Sequence, residues 1–129
     1  MNPIKVMVNG LPGNVSRIVA AQILKDKRFE LVPYSLTGPE IQEPEYALES
    51  ATIKLIQPDK KKLQIEAVIK SHERFLSVDY THPSAVNSNA EFYCGCGLPF
   101  VMGTTGGDRK KLEETVMSSS IPAVIAPNM

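Results

Sequence analysis

The N-terminal residues combine an apolar run with glycine spacing in a pattern that can bind phosphate. Residues 4–8 are largely apolar, and they are followed by Gly10 and Gly13 and then by a helical pattern. Gly10 permits a tight turn where a Cβ would clash. Gly13 lets a bulky anion approach the unpaired amides at the start of the helix, where the helix dipole also favours negative charge. The spacing predicts a dinucleotide-binding turn, with a plain strand-to-helix connection as the alternative.

Hydroxyl groups follow the second predicted strand, where dinucleotide-binding domains usually present an acidic residue to the adenosine ribose. The residues here are Ser35, Leu36 and Thr37, and Arg17 lies in the first turn of the preceding helix. Ser35 and Thr37 can donate hydrogen bonds to phosphate oxygens, and none of the three positions carries a carboxylate that would repel a 2′-phosphate. We therefore expect NADPH as the cofactor, with NADH as a second option. The alternative is that Ser35 and Thr37 are ordinary turn residues.

The remaining reactive side chains favour structural roles. His82 precedes Pro83 at a strand-to-helix junction, so it is either a loop or capping residue or one that faces a substrate. Cys94 and Cys96 lack the spacing of a zinc site, and no metal site is predicted. The lysines at 60–62 are interpreted as a solvated helix start, with phosphate steering as the alternative. No Ser-His-Asp or paired-carboxylate motif is present, so no catalytic residue is assigned in this chain.

Composition argues against several classes of function. The 129 residues suit one domain, and Lys plus Arg balance Asp plus Glu at 14 each, which argues against nucleic acid as the main partner. No apolar run approaches the ~20 residues that span a bilayer, so no membrane partner is expected. With two cysteines and no signal-peptide pattern, a reducing compartment is expected. We therefore expect a soluble intracellular protein.

Strands and helices alternate along the chain. Apolar residues at helical spacing predict helices at 13–25, 60–70 and 108–117, and one that Pro83 opens and Gly95 and Gly97 end. Residues 35–46 are expected to be a polar loop. The alternation predicts an α/β fold, a Rossmann-like doubly wound parallel sheet with helices on both faces. Strands are predicted at 4–8, 29–34, 51–56, 75–80, 98–102 and 122–126. The buried stripe of the first helix is predicted at Val15, Ile18, Val19 and Ile23.

The loops after the predicted strands carry the candidate site. Ligands of doubly wound sheets bind beyond the carboxyl ends of the strands. Such ends precede the loops at 10–13, 35–38, 79–82, 103–106 and 127–129. We expect these loops to converge on one rim, and that convergence is the strongest argument from the residues for a nucleotide site.

Four stretches of the sequence resemble one enzyme family. Residues 8–13, 78–83, 100–107 and 126–129 have the sequences VNGLPG, VDYTHP, FVMGTTGG and APNM. They are similar to 4-hydroxy-tetrahydrodipicolinate reductase (dihydrodipicolinate reductase), above all to its plant-type branch, and the resemblance covers essentially the whole chain. The combination of GTTG with the terminal APNM is specific, whereas the first glycine turn is not. The family reduces the cyclic imine precursor of diaminopimelate and lysine with NAD(P)H.

The resemblance implies roles for particular residues. Residues 10–15 are expected to cradle the cofactor pyrophosphate, residues 103–105 to border the nicotinamide, and residues 127–129 to close over it. Thr105 and Gly106 are expected to contact substrate. With the hydroxyls after the second strand and two residues beside the cofactor, the predicted cofactor-binding residues are Gly10, Leu11, Pro12, Gly13, Asn14, Val15, Ser35, Thr37, Asp79, Thr81, Gly103, Thr104, Thr105, Pro127, Asn128 and Met129.

The resemblance also implies what this sequence lacks. In the family, a substrate domain follows the Asn-Met segment and carries a His-His motif and a Lys-x-Ser-Gly type motif, and nothing here corresponds to them. We expect residues 1–129 to form one dinucleotide-binding domain that binds cofactor but does not by itself turn over the dicarboxylate imine. A homo-oligomer is expected only together with that further domain. The expected location is the plastid stroma or the cytoplasm.

Two other interpretations remain open because a fold does not determine a function. The chain could be a non-catalytic Rossmann nucleotide-binding module or a sensor. It could also belong to another oxidoreductase or an epimerase that uses the same sheet.

Overall fold

Five parallel strands form the central sheet of the protein, and the computed structural model describes residues 2–126. The elements in chain order are β1 (Ile4–Asn9), α1 (Asn14–Lys25), β2 (Phe29–Leu31), β3 (Tyr34–Leu36), β4 (Glu45–Leu48), β5 (Ala51–Ile56), α2 (Lys61–His72), β6 (Leu76–Asp79), α3 (Val86–Cys96), β7 (Phe100–Met102), α4 (Arg109–Ser118) and β8 (Ala123–Ile125). The central sheet has the order β2-β1-β6-β7-β8, with every neighbouring pair parallel. The predicted parallel α/β architecture is confirmed.

Helices cover both faces of this sheet, because alternate residues of β1 belong to different apolar clusters. Met7 is buried in the cluster that contains side chains of α2, α3 and α4. Val6 and Val8 are buried in a second cluster with Ala20 of α1. Successive side chains of a strand point to opposite faces, so the two clusters lie on opposite sides of the sheet. The prediction of helices on both faces is therefore confirmed.

The buried stripe of α1 differs from the predicted one. Val15 and Ile18 are 53% and 64% exposed, whereas Ser16 and Ala20 are buried. The two small side chains let the helix backbone approach the sheet closely, and this rotates the larger neighbouring residues toward solvent. The prediction was correct for the half-buried residues Val19 and Ile23 and wrong for the first two positions.

A second, smaller sheet replaces part of the predicted polar loop. The predicted strand at 29–34 is split at Pro33, which has no backbone N–H, into β2 and β3. β3 pairs in parallel with β5, and β5 pairs antiparallel with β4. The prediction of a loop at 35–46 was therefore wrong at both ends. The strand predicted at 51–56 does form, but it belongs to the small sheet. Its order is β3-β5-β4.

The register of the central sheet brings three strand ends side by side. Asn9 of β1 pairs with Asp79 of β6, and Asp79 pairs with Met102 of β7. The loops that follow these residues therefore begin at one level of the sheet. The predicted cofactor residues at 127–129 lie outside the described part of the chain. Within residues 2–126, no helix is long and apolar enough to cross a membrane.

Candidate functional site

An open cleft of about 810 Å³ lies at the carboxyl ends of β1, β3 and β6. Residues 10–13, 36–38 and 80–82 line it, so three of the predicted loops do converge. A smaller cavity of about 230 Å³ has residues 103–105 in its lining and shares Tyr80 and Thr81 with the cleft. The fourth predicted loop therefore borders the same region, next to the end of β6.

The glycine turn has the backbone geometry that its sequence predicts. Gly10 adopts a φ of 114°, and a Cβ there would lie 2.1 Å from the carbonyl oxygen of Tyr80. Its N–H donates to the carbonyl of Leu36 at 2.8 Å, which joins the turn to the end of β3. Only glycine combines this conformation with so close an approach. Gly10 therefore holds the turn against the neighbouring strand ends.

The helix that follows the turn begins without a side-chain cap. Gly13 is the N-cap residue of α1, and no side chain hydrogen-bonds to the first amides of the helix. The first turn carries no acidic residue, and Gly13, Asn14 and Val15 are exposed. Uncapped amides and the positive end of the helix dipole together attract an anion. This end of the cleft is therefore suited to a phosphate group.

Ser16 connects α1 to two strand ends from beneath the turn. Its side chain is buried, and its Oγ lies 3.3 Å from the carbonyl oxygen of Asn9 and 3.1 Å from that of Tyr80. The hydroxyl can donate to either acceptor. This buried serine thus links the helix to the ends of β1 and β6.

The hydroxyls of Ser35 and Thr37 both contact Leu11 in the glycine turn. Ser35 Oγ accepts a hydrogen bond from the Leu11 N–H at 3.2 Å, and Thr37 Oγ1 donates to the Leu11 carbonyl at 2.6 Å. Both side chains are buried. In this structure they fix the shape of the turn, and their predicted contact with the cofactor remains a prediction.

A buried carboxylate lies beneath the cleft at the end of β6. Asp79 Oδ1 accepts hydrogen bonds from Thr81 N at 3.1 Å, Thr81 Oγ1 at 2.7 Å and Thr104 Oγ1 at 2.6 Å. Asp79 Oδ2 accepts from the hydroxyl of Tyr93 and from Asn89 Nδ2 at 3.1 Å. Asp79 is fully buried, so it supports the lining of the cleft from below. Thr81, which is half-buried, lines both cavities.

Tyr93 extends this network to β1. Asn9 Nδ2 donates to the Tyr93 hydroxyl at 3.0 Å, and Asn9 Oδ1 accepts from the Leu36 N–H at 2.9 Å. Burial, followed by the nearby Asp79 charge, raises the pKa of Tyr93 well above its usual value. The tyrosine therefore stays protonated and donates to Asp79. Sequence reasoning missed Asn89 and Tyr93, although their spacing of four residues places them on one face of α3.

The side chains of His82 and Arg17 both make local hydrogen bonds. His82 Nδ1 accepts from the N–H of Ser84 at 3.1 Å and caps the short turn that begins at Pro83. The capping interpretation of His82 is confirmed, and the residue also lines the cleft. Arg17 is exposed, and its Nη2 donates to Asn14 Oδ1 at 2.6 Å.

Two charged residues that the cofactor argument left aside also line the cleft. Lys61 is half-buried at the start of α2, with Nζ 4.7 Å from the ring centroid of Phe92. Glu40 lies on the loop after β3, with its carboxylate folded against Gly38. Residues 35–37 carry no carboxylate, but the loop after β3 brings the carboxylate of Glu40 back to the same region. Within residues 2–126, no group of three or more His, Cys, Asp or Glu residues is placed to hold a metal ion.

These features define a class of protein. A doubly wound parallel sheet whose cleft opens beside a glycine turn and an uncapped helix is a Rossmann-like nucleotide-binding domain. The family described as "Dihydrodipicolinate reductase, N-terminus" matches residues 4–129, so the chain belongs to the dihydrodipicolinate reductase family. Members are pyridine-nucleotide-dependent reductases, and this membership supports NAD(P)H binding.

Curated relatives agree with this family. The chain is 42% identical to "4-hydroxy-tetrahydrodipicolinate reductase 1, chloroplastic" of Arabidopsis thaliana, over 99% of the chain and 37% of the relative. It is 37% identical to the probable chloroplastic reductase 1 of Oryza sativa subsp. japonica, over 96% of the chain and 36% of the relative. A bacterial reductase, from Desulfitobacterium hafniense, is 31% identical over 99% of the chain and 48% of its own length. The chain thus spans between about a third and a half of these relatives.

The network beneath the cleft gives a stability prediction. Replacing Tyr93 by Phe removes a donor to Asp79 and an acceptor for Asn9, and leaves both groups buried. We expect the free energy of unfolding to fall by about 1–3 kcal/mol, as measured by urea denaturation. Tyr46→Phe is the matched control, because Tyr46 is half-buried in β4 and its hydroxyl makes no hydrogen bond to residues 2–126. Equal losses in the two variants would contradict a structural role for the Tyr93 hydroxyl.

The raised pKa of Tyr93 gives a second prediction, which concerns alkaline pH. In the unfolded chain the phenol loses its proton near pH ~10, whereas in the folded chain it remains protonated to higher pH. The folded state then binds more protons than the unfolded state, so the stability provided by Tyr93 is complete below pH ~10 and declines above it. The stability difference between the wild type and Tyr93→Phe should therefore shrink as pH rises past ~10. A constant difference up to pH ~11 would argue against the shift.

Proposed function

We propose that the chain binds NAD(P)H in the cleft and acts as the cofactor domain of a reductase. The reaction is the reduction of 4-hydroxy-tetrahydrodipicolinate to tetrahydrodipicolinate, in the diaminopimelate route to lysine. Family membership over residues 4–129 and the printed names of the relatives support this assignment. The observation that carries it is the uncapped start of α1 beside the cleft. The proposed compartment is the plastid stroma or the cytoplasm, and the chloroplastic relatives favour the plastid.

The residues present fit a dinucleotide. The pyrophosphate is assigned to the glycine turn and the first amides of α1, which are exposed and without side-chain caps. The adenosine is assigned to the wall formed by residues 36–41. The nicotinamide is assigned to the smaller cavity beside residues 103–105, which shares two lining residues with the cleft. When bound, NAD(P)H supplies the hydride, and the chain's own residues bind it and orient it.

The second glycine-rich loop is proposed to orient the nicotinamide and to contact substrate. Gly103 lies against the ring of Tyr80, where an added Cβ would be 2.3 Å from a ring carbon. The buried hydroxyl of Thr104 is held by Asp79, so the loop has a fixed starting point. Thr105 is half-buried in the cavity lining and Gly106 is exposed, and these two residues are assigned to substrate. We propose NADPH as the cofactor used at least as well as NADH.

A nucleotide-binding module without catalysis is the second candidate function. It is favoured by the lining of the smaller cavity, where Tyr80 is the only titratable side chain among the described residues. The two carboxylates of the proposed substrate require cationic partners, and acid–base chemistry requires a proton donor within reach. Both candidates therefore predict cofactor binding, and they differ in what the whole protein does with the bound cofactor.

The binding prediction is tested at Gly13. Gly13→Val places a branched side chain at the start of α1, where the cofactor phosphate must approach the amides. We expect affinity for NADPH and NADH to fall by about tenfold or more in isothermal titration, with the fold retained. Gly95→Val is the matched control, because a Cβ at Gly95 has no atom within 4 Å and lies far along the chain from the turn. Unchanged affinity in folded Gly13→Val would mean that the residues form only a turn.

Catalysis by the 129-residue chain is tested directly. Positioning of the imine carbon against the nicotinamide supplies several kcal/mol of barrier lowering, and enclosure from water adds to it. Among residues 2–126, no Lys, Arg or His side chain lines the smaller cavity, although Arg109 Nη2 donates to the Thr104 carbonyl at 3.4 Å. We expect NADPH binding but no useful turnover when NADPH absorbance is followed with freshly generated substrate. Turnover within about tenfold of a full-length relative would show that these residues suffice for catalysis.

A further inference from the structure

We propose that Lys61 binds the 2′-phosphate of NADPH and so determines the preference of this site for NADPH over NADH. This inference rests on the proposed function, because it concerns the same cleft. It assigns a selectivity role to one lysine of the run at 60–62, and leaves Lys60 and Lys62 as solvated residues.

The position of Lys61 follows from the pairing of β3 with β5. Leu36 pairs with Ile56, and the N–H of Thr37 donates to the Ile56 carbonyl at 3.0 Å. The end of β5 therefore lies beside the end of β3, where doubly wound domains hold the adenosine ribose. The chain continues from β5 through a short turn at Pro58–Lys60 into α2, whose first residue is Lys61. Ile56, Pro58 and Lys61 all line the cleft.

The surroundings of Lys61 leave its positive charge available to an anion. No carboxylate oxygen lies within salt-bridge distance of Nζ among residues 2–126. Nζ is 3.5 Å from Asn89 Oδ1, at the limit of a hydrogen bond, and 4.7 Å from the Phe92 ring centroid. Lys60 and Lys62 are exposed, whereas Lys61 is half-buried in the cleft lining. Of the three lysines, only Lys61 is thus held facing the proposed nucleotide.

Burial makes the positive charge of Lys61 costly. Removal of water lowers the pKa of Lys61, and repulsion from Lys62 lowers it further. The nearby charge of Asp79 acts on this pKa in the opposite direction, but among residues 2–126 no carboxylate forms a salt bridge with Lys61. A phosphate at the 2′ position would supply a direct anionic partner, and a charge-assisted hydrogen bond to an ammonium is among the stronger polar contacts. NADH has only a hydroxyl at this position, so it gains much less from the same lysine.

The experiment compares the two cofactors on one set of variants. Lys61→Met keeps the aliphatic length and removes the charge, Lys61→Arg keeps the charge, and Lys62→Met is the control of equal net charge on the exposed neighbour. Dissociation constants for NADPH and NADH are measured on each protein by isothermal titration. Because the readout is the ratio of two constants from the same sample, a partly unfolded fraction does not imitate the effect.

We expect Lys61→Met to weaken NADPH binding by about tenfold or more and to change NADH binding by less than about twofold. Lys61→Arg and Lys62→Met should keep the wild-type ratio. The same pattern is expected with adenosine 2′,5′-bisphosphate against AMP, which isolates the phosphate from the nicotinamide. An equal loss for both cofactors, or no loss for either, overturns the role of Lys61 while cofactor binding itself stands. A wild-type protein that binds neither cofactor overturns the proposed function.

Discussion

The buried carboxylate of Asp79 is the interaction on which the cleft depends. An isolated charge at such a position would be strongly unfavourable, and it is tolerated because five donor groups from residues on three segments surround it. Those donors come from the loops after β6 and β7 and from α3. One charge therefore requires several separate parts of the chain to be in place at once. Through Tyr93 and Asn9 the same constraint reaches the end of β3.

This network gives the cleft the features of a preorganised binding site. The glycine turn is held by Ser16 from below and by Ser35 and Thr37 from the side, so its amides do not need to be ordered when a ligand arrives. By fixing the turn, these side chains lower the entropic cost of binding. The polar groups at the strand ends thus have two different roles. The buried side chains fix the backbone, while the first amides of α1 and the side chain of Lys61 remain accessible in the cleft.

The sequence was sufficient to predict the alternation of strands and helices, the parallel sheet and the convergence of three loops. These features follow from the hydrophobic periodicity and from the positions of glycine and proline. The sequence was insufficient to predict which of two adjacent residues is buried. Val15 and Ser16 are neighbours on α1, and the smaller, polar residue is buried because close approach of the helix outweighs apolar area at that position. The strand β4 was missed because Glu45 and Ala47 are exposed and its pattern is that of an edge strand. Asp79 was placed beside the cofactor by resemblance alone, and only the spatial position of Tyr93 and Asn89 shows that its oxygens are already occupied.

The two walls of the cleft belong to different sheets, and their strands differ in how many neighbours they pair with. The glycine turn follows β1 of the central sheet, which has a partner strand on each side. The opposite wall is carried by β3 and by the loop that leads to β4, and within residues 2–126 β4 pairs on one side only. Local opening is easiest at such outer strands. The wall beside β3 and β4 can therefore open locally while the glycine turn keeps its shape. One cleft thus combines a rigid side with a side that can adjust to what it binds.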